Sequence, residues 1–172
     1  ALADPLQPLL RWDLIRDLVD ANRLDSAEST ARALAEISDR FTWLPMARGL
    51  IRMRRGQYAD ALRELQRADT TMSFAAHLMA ECEAALGRTA DAKRRLAAMQ
   101  AERRTRYVDG TNIARGYAAL GDRDAAFRWM DSAFVDRAAS LGQLFDIGYD
   151  PMRSDPRFRA LEERVRLAAG KP

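Results

Sequence analysis

Apolar residues recur at helical spacing along most of the chain, and the pattern is clearest between Tyr107 and Ala133. Two amphipathic runs flank a Leu-Gly-Asp turn there, and each run places its apolar side chains on one face of a helix. Gly121 lies where the first helix has to end, because a left-handed residue just past a helix costs least when it is glycine. Asp122 then favours the positive N-terminus of a second helix. The stretch therefore predicts a helical hairpin.

The same hairpin pattern recurs along the chain as an internal repeat. Its landmarks are the turn residues Asn22, Gly56, Gly87 and Gly121, and the small residues Ala27, Ala61, Ala92 and Ala126 in the helix that follows each turn. Both series have gaps of 34, 31 and 34 residues. The spacing predicts four hairpins, at 8–41, 42–72, 73–106 and 107–140. The second hairpin is three residues short, and we place this deletion between Asp69 and Ser73.

Composition agrees with a purely helical protein. The chain has 172 residues, of which 48% are hydrophobic, which is enough for one compact domain or a short array of repeats. β-branched residues are sparse, and no stretch alternates apolar and polar residues as a half-buried strand would. The predicted fold class is all-α.

A period of 34 residues built from paired helices is typical of the tetratricopeptide repeat (TPR). The chain resembles that family at the positions where small side chains let two helices approach closely and where larger ones interlock. The small residues are Ala27, Gly49, Ala61, Ala80, Ala92, Ala114 and Ala126, and the larger ones are Tyr58, Leu65, Leu96 and Met130. The resemblance implies an α-α superhelix, a TPR-like solenoid of about four helical hairpins.

The repeat stops near residue 140, and we expect residues 141–172 to cap the array, with residues 1–7 as an N-terminal extension. Asp155 is a suitable N-cap for a helix that starts at Pro156. Phe158, Leu161 and Val165 then form one apolar stripe. A solenoid exposes the apolar side of its last repeat unless something covers it, so the stripe predicts a capping helix.

The fourth hairpin and this tail together resemble the C-terminal end of bacterial multidomain signalling proteins. The shared pattern is A-LGD-D-AF-WM--AF followed by DP-RSDPRF--L. In that group a TPR array follows a winged-helix, cyclase or protein kinase domain. The resemblance implies a regulatory or scaffolding module without catalytic residues of its own. A cytoplasmic location is expected, or a periplasmic one if a membrane span lies upstream.

The sequence offers little for catalysis or for holding a metal. His77 is the only histidine and Cys82 the only cysteine, which excludes an internal disulfide and a multi-histidine metal site. We expect His77 to be a partly exposed groove residue. Cys82 is expected to be a buried, inert thiol, because Glu81 and Glu83 disfavour the thiolate. The glycines of the turns lack the Lys-Ser or Lys-Thr of a phosphate-binding loop. We therefore expect no enzymatic activity, no cofactor and no metal.

Charge and hydropathy argue against nucleic acid and lipid bilayers as partners. The 28 basic and 25 acidic residues are interspersed, so the formal charge of +3 describes a mixed surface and does not predict nucleic-acid binding. No run approaches the roughly 20 apolar residues that a bilayer-spanning helix needs. We expect neither nucleic-acid binding nor membrane insertion.

The first helix of each TPR hairpin lines a concave wall, which gives the candidate partner-binding groove. Its projected residues are Trp12, Arg16, Trp43, Met46, Leu50, Met53, Phe74, His77, Glu81, Asn112 and Arg115. The first half is apolar and rich in methionine and the second half is polar, which favours an extended peptide or an amphipathic helix of a partner protein. The alternatives are a homodimer formed through the apolar wall or an end helix, a small-molecule sensor, and a wall covered by the N-terminal segment, by neighbouring repeats or by the capping helix.

Overall fold

The computed structural model describes residues 7–37, 43–68, 73–144 and 147–170, without the side chains of residues 73, 74, 143 and 147. Within these ranges all regular structure is helical, which confirms the all-α class. The α-helices are α1 (Gln7–Asp20), α2 (Leu24–Ile37), α3 (Leu44–Arg54), α4 (Tyr58–Leu65), α5 (Ser73–Ala85), α6 (Thr89–Glu102), α7 (Gly110–Ala119), α8 (Arg123–Val135) and α9 (Pro156–Ala168). Two 3-10 helices, η1 (Ala139–Gln143) and η2 (Ile147–Met152), lie between α8 and α9.

One turn conformation joins the helices of every predicted hairpin. The turn residue has a positive φ in each case: 56° at Asn22, 72° at Gly56 and Gly87, and 78° at Gly121. The next backbone N–H donates to the carbonyl five residues earlier, over 2.7–3.0 Å: Arg23 to Leu18, Gln57 to Arg52, Arg88 to Glu83, and Asp122 to Tyr117. This is the Schellman arrangement, which satisfies carbonyls that the end of a helix would otherwise leave without donors. The turns lie at the four positions that the spacing predicts.

The chain divides into two compact units, residues 1–82 and residues 83–172. In the first unit α1 packs on α2 and α3, α2 also packs on α3, and α3 packs on α4. Its core includes the fully buried side chains of Ile15, Leu34, Ile51 and Leu65. Helix α4 has 8 residues where α2 has 14, so the second hairpin has a shortened second helix. The predicted deletion at 69–73 lies largely outside the described residues.

The second unit is built around α7 and α8. Helix α7 packs on α6, α8 and η2, and α8 also packs on α9. Asp155 caps α9 as predicted, because its carboxylate accepts a 3.0 Å hydrogen bond from the backbone N–H of Arg157. Hydrogen bonds from Arg157 lower the pKa of that carboxyl to about 2. Phe158 and Leu161 are buried in the same apolar cluster as Met130 of α8, and Val165 packs against it. The predicted stripe therefore covers part of α8.

The contacts between α8 and α9 repeat every seven residues. The Arg157 guanidinium lies 4.3 Å from the ring centroid of Phe127 and donates to Asp124 over 2.7 Å. Seven residues later, Arg164 lies 4.3 Å from the ring centroid of Phe134 and donates to Asp131 over 2.6 Å. Because the contacts follow the same order along both helices, α8 and α9 run parallel.

The structure contains more than the predicted capping helix, because η2 also packs on α7. The second helices of neighbouring hairpins in a repeat array are parallel, and α9 takes such a place beside α8. The 3-10 helix η2 packs on α7, where the first helix of a further hairpin would lie. The described part of the tail therefore places the 3-10 helix η2 on α7 and the helix α9 on α8.

Close packing of α7 on α8 depends on Gly110. A Cβ atom at Gly110 would lie 2.8 Å from the carbonyl oxygen of Trp129 and 3.2 Å from the Cβ of Ala133. We expect Gly110→Val to lower the free energy of unfolding by about 1–3 kcal/mol, because the backbone of α8 would have to move. Chemical denaturation followed by far-UV circular dichroism would measure the loss.

Gly142→Val is the matched control, since a Cβ atom there meets no atom within 4 Å. We expect it to change stability by less than about 0.5 kcal/mol. Equal stability of the two variants would contradict the close approach of α7 and α8.

Candidate interaction surfaces

The apolar half of the predicted groove is more buried than the sequence suggests. Trp12 and Met46 are each only 4% exposed and belong to the core of residues 1–82. The rings of Trp12 and Trp43 meet edge to face, with centroids 5.5 Å apart and an interplanar angle of 65°. Trp12 and Met46 therefore pack inside the unit, in line with the alternative that the chain covers part of its own wall. Their contact with a partner stays a prediction.

Four predicted groove residues of the first unit keep part of their surface in solvent. They are Arg16, Trp43, Leu50 and Met53, all half-buried. The Arg16 guanidinium lies 3.6 Å from the carboxylate of Asp13 one turn away. These four residues are the part of the apolar half that a partner can reach without unfolding the unit.

Helix α5 carries the next predicted groove residues. His77 is fully buried, which corrects the expectation of a partly exposed histidine. Its Nε2 atom lies 3.9 Å from Oε1 of Glu81. Cys82 is fully buried, as predicted. Phe74 lies in α5, but its side chain is outside the description.

The polar end of the predicted groove lies inside the second unit. Asn112 is 8% exposed. The Arg115 guanidinium lies 5.8 Å from the ring centroid of Tyr149 in η2. It also packs so closely on Gly148 that a Cβ atom at position 148 would clash with it. The segment η2 therefore lies against Arg115, in line with the alternative that the chain covers its own wall.

A hydrogen-bond cluster that the repeat register did not predict joins α7 to η1. Asp109, the N-cap of α7, accepts from both the backbone N–H and the hydroxyl of Thr111 over 2.9 Å. Its second carboxylate oxygen accepts from the Ser140 hydroxyl over 2.6 Å. These bonds satisfy the start of α7 and hold η1 beside it, which is a structural role.

A shallow cavity of about 350 Å³ lies where α6 ends, and sequence reasoning also missed it. Its lining residues are Arg103, Thr105, Arg106, Tyr107 and Asp136. The Arg-Arg-Thr-Arg-Tyr run at 103–107 is the signal that could have indicated it, because arginines beside an aromatic residue are common in binding surfaces.

Arg103 fixes the floor of this cavity. Its guanidinium donates to the carbonyl of Val108 over 2.5 Å and to the Ser132 hydroxyl over 3.0 Å, and it also pairs with Asp136. It lies 5.5 Å from the ring centroid of Trp129. Contacts of this number and kind hold the Arg103 side chain in one place, whereas Tyr107 in the same lining is 63% exposed.

Within the described ranges, no helix combines the length and the apolar character needed to cross a bilayer. Within them, no group of three or more His, Cys, Asp or Glu side chains is arranged to hold a metal ion.

No protein-family model, curated protein or solved structure matches the chain.

Proposed function

We propose that the chain is a non-catalytic, TPR-like module that binds a protein or a peptide. As the sequence resemblance implies, it would be the C-terminal regulatory or scaffolding part of a larger bacterial signalling protein. The superhelical stacking of its hairpins is part of this proposal.

The observation that supports the proposal is the repetition of one Schellman turn at Asn22, Gly56, Gly87 and Gly121. The small residue five positions after each turn is fully buried: Ala27, Ala61, Ala92 and Ala126. Turn and buried alanine keep the spacing of 34, 31 and 34 residues. Arrays of such hairpins commonly present extended binding surfaces.

Within the predicted groove, the half-buried side chains of Trp43, Leu50 and Met53 are the proposed anchors. Their shape and flexibility suit the apolar face of an amphipathic helix. The buried Trp12 ring contacts the Trp43 anchor from inside the core.

Site-specific photo-crosslinking tests the proposal. A photoreactive phenylalanine derivative would replace Met53 in one sample and Val135, which is 78% exposed, in the control. We expect position 53 to give a discrete adduct in cells, and we expect the adduct to be lost when an excess of unlabelled chain competes for the partner. The proposal fails if position 53 gives no adduct, or if positions 53 and 135 give the same adducts.

Self-association is a second candidate function, and a specific feature of α1 favours it. Leu10 and Leu14 lie one turn apart and are 64% and 48% exposed, and the neighbouring Leu9 is 41% exposed. A second copy of the chain could cover this apolar strip. Light scattering over a range of protein concentrations tests self-association, because a constant monomeric mass would exclude a dimer.

A further inference from the structure

Three arginines lie at the C-terminal end of α3, and they differ in their partners. The guanidinium nitrogens of Arg52 lie 3.8 and 3.9 Å from oxygens of two carboxylates on α4. Arg55, just past the helix, donates to two carboxylates on α2 over 3.0 and 3.4 Å. No carboxylate of the described residues pairs with Arg54, and its Nε atom is buried without a hydrogen-bond acceptor.

A buried donor without an acceptor costs free energy, because it has lost its contact with water. Oε2 of Glu64 is also buried without a hydrogen bond, but it lies 3.6 Å from the Arg67 guanidinium, which neutralises its charge. Arg54 has no such compensation within the described residues. Uncompensated polar groups of this kind are expected where a binding partner supplies the missing contact.

The hairpin fold does not require an arginine at this place. Arg54 lies two residues before the turn residue Gly56. The residues at the same distance before the other three turns are Asp20, Ala85 and Ala119. The same Schellman turn follows all four side chains, so the Arg54 guanidinium is not needed to form it.

Arg54 shares one surface of α3 with the proposed anchors. Leu50 precedes it by four residues, and Met53 follows Leu50 by three, so these side chains are neighbours on the helix surface. Trp43 lies two turns before Leu50, in the same row. All four side chains are half-buried. The surface therefore combines three apolar side chains with one unpaired cation at its C-terminal end.

We infer that this surface, the α3 face formed by Trp43, Leu50, Met53 and Arg54, binds an amphipathic helix that carries a glutamate or aspartate at one end of its apolar stripe. The inference rests on the proposed function, because it names the chemistry of the proposed partner. The carboxylate would accept hydrogen bonds from the Arg54 guanidinium, while the apolar stripe would cover the three anchors.

The unpaired charge of Arg54 gives the α3 face its selectivity. A purely apolar helix would cover the guanidinium without supplying a counter-charge, which is costly, and a basic one would be repelled. A carboxylate at the end of the stripe removes both costs. It also fixes the register of the bound helix, since the charged end of the stripe has to lie beside Arg54.

The stability of the chain without a partner is the first test. Arg54→Met keeps a long, flexible side chain and removes the charge and the buried donor. We expect its urea midpoint to be higher than that of the unaltered chain, because the uncompensated Nε atom is gone. Arg52→Met is the control, and its midpoint should not rise, because this substitution breaks existing ion pairs.

Binding of designed helical peptides is the second test. The probes are fluorescein-labelled peptides with amidated C-termini and leucines at helical spacing. One carries a glutamate one turn after the last leucine, and the other carries it one turn before the first, because the helix could bind in either direction. We expect one of them to bind the whole chain in fluorescence anisotropy. The same peptide with glutamine should bind about tenfold or more weakly.

Variants of α3 assign this difference to one residue. Arg54→Glu should weaken binding of the glutamate peptide about tenfold or more, and Arg54→Met should bind the glutamate and glutamine peptides equally. Arg48→Glu is the matched control, since Arg48 is another half-buried arginine of α3, and a residue two positions from Leu50 does not share its surface. We expect this variant to bind nearly as well as the unaltered chain. Far-UV circular dichroism would verify that all variants keep their helices.

Four results would overturn the inference: a lower urea midpoint for Arg54→Met, no binding of either glutamate peptide, equal binding of the glutamate and glutamine peptides, or an equal loss in Arg54→Glu and Arg48→Glu. Crosslinking at position 53 in cells does not depend on a carboxylate in the partner. A discrete adduct at that position together with any of these results would therefore remove only the role of Arg54 and leave the proposed interaction module standing.

Discussion

Replacing Trp12 by alanine is expected to lower the free energy of unfolding of the first unit by about 3–5 kcal/mol. The side chain is 4% exposed, so its removal leaves a cavity in the core. The substitution also removes the edge-to-face contact with Trp43, and such contacts are worth about 0.5–1.5 kcal/mol beyond burial. Urea denaturation followed by circular dichroism and by the fluorescence of the remaining tryptophans would measure the change.

This experiment separates a core tryptophan from a groove tryptophan. If Trp12 were an exposed anchor for a partner, the alanine variant would keep its stability and lose only its affinity. Leu10→Ala on the same helix is the control, since Leu10 is 64% exposed and its truncation should change stability by less than about 0.5 kcal/mol. A midpoint for Trp12→Ala equal to that of Leu10→Ala would contradict the burial of Trp12.

Replacing Phe158 by alanine should have an effect of similar size on the second unit, about 3–5 kcal/mol. The ring is 1% exposed and belongs to the cluster that joins α7, α8, η2 and α9. The ring centroids of Phe158 and Tyr149 lie 6.2 Å apart. The Arg153 guanidinium lies over the Phe158 ring, 5.4 Å from its centroid, in a cation–π contact. Truncation therefore weakens the contacts of both η2 and α9.

Limited trypsin digestion, combined with chemical denaturation followed by far-UV circular dichroism, would measure this effect. We expect faster cleavage at Arg159 and Arg164, because α9 would separate more often from α8. Leu167→Ala is the control, as Leu167 lies on the same helix and is 61% exposed. Cleavage at an unchanged rate, together with unchanged stability, would show that Phe158 does not hold α9 in place.

The hairpins could be predicted from sequence because their signals are local. A glycine or an asparagine in the left-handed conformation fixes the end of one helix, as at Gly121 and Asn22. A cap such as Asp155 followed by Pro156 fixes the start of another. Each signal involves a few neighbouring residues, so the sequence alone contains it. The pairing of α8 with α9 was only partly predicted, because the apolar stripe says what is buried and leaves open which helix covers it.

The exposure of the groove residues could not be predicted in the same way. The register places Trp12 and Asn112 on the first helices of their hairpins, but their exposure depends on side chains from other segments. The Trp43 ring meets Trp12, and η2 lies against Arg115 near Asn112. The cavity beside Tyr107 was missed for a related reason, because it depends on Asp136 at the far end of α8.

The contacts that repeat every seven residues between α8 and α9 have a consequence for protein design. Arg157 and Arg164 of α9 both contact one stripe of α8, formed by Asp124, Phe127, Asp131 and Phe134. The stripe consists of two Asp-x-x-Phe motifs. Arg157 contacts the first motif and Arg164 contacts the second. If the two Asp-x-x-Phe motifs were placed on the last helix of an unrelated repeat array, residues 139–168 should be able to cap that array. The charged outer surface of the cap would then discourage end-to-end association of arrays.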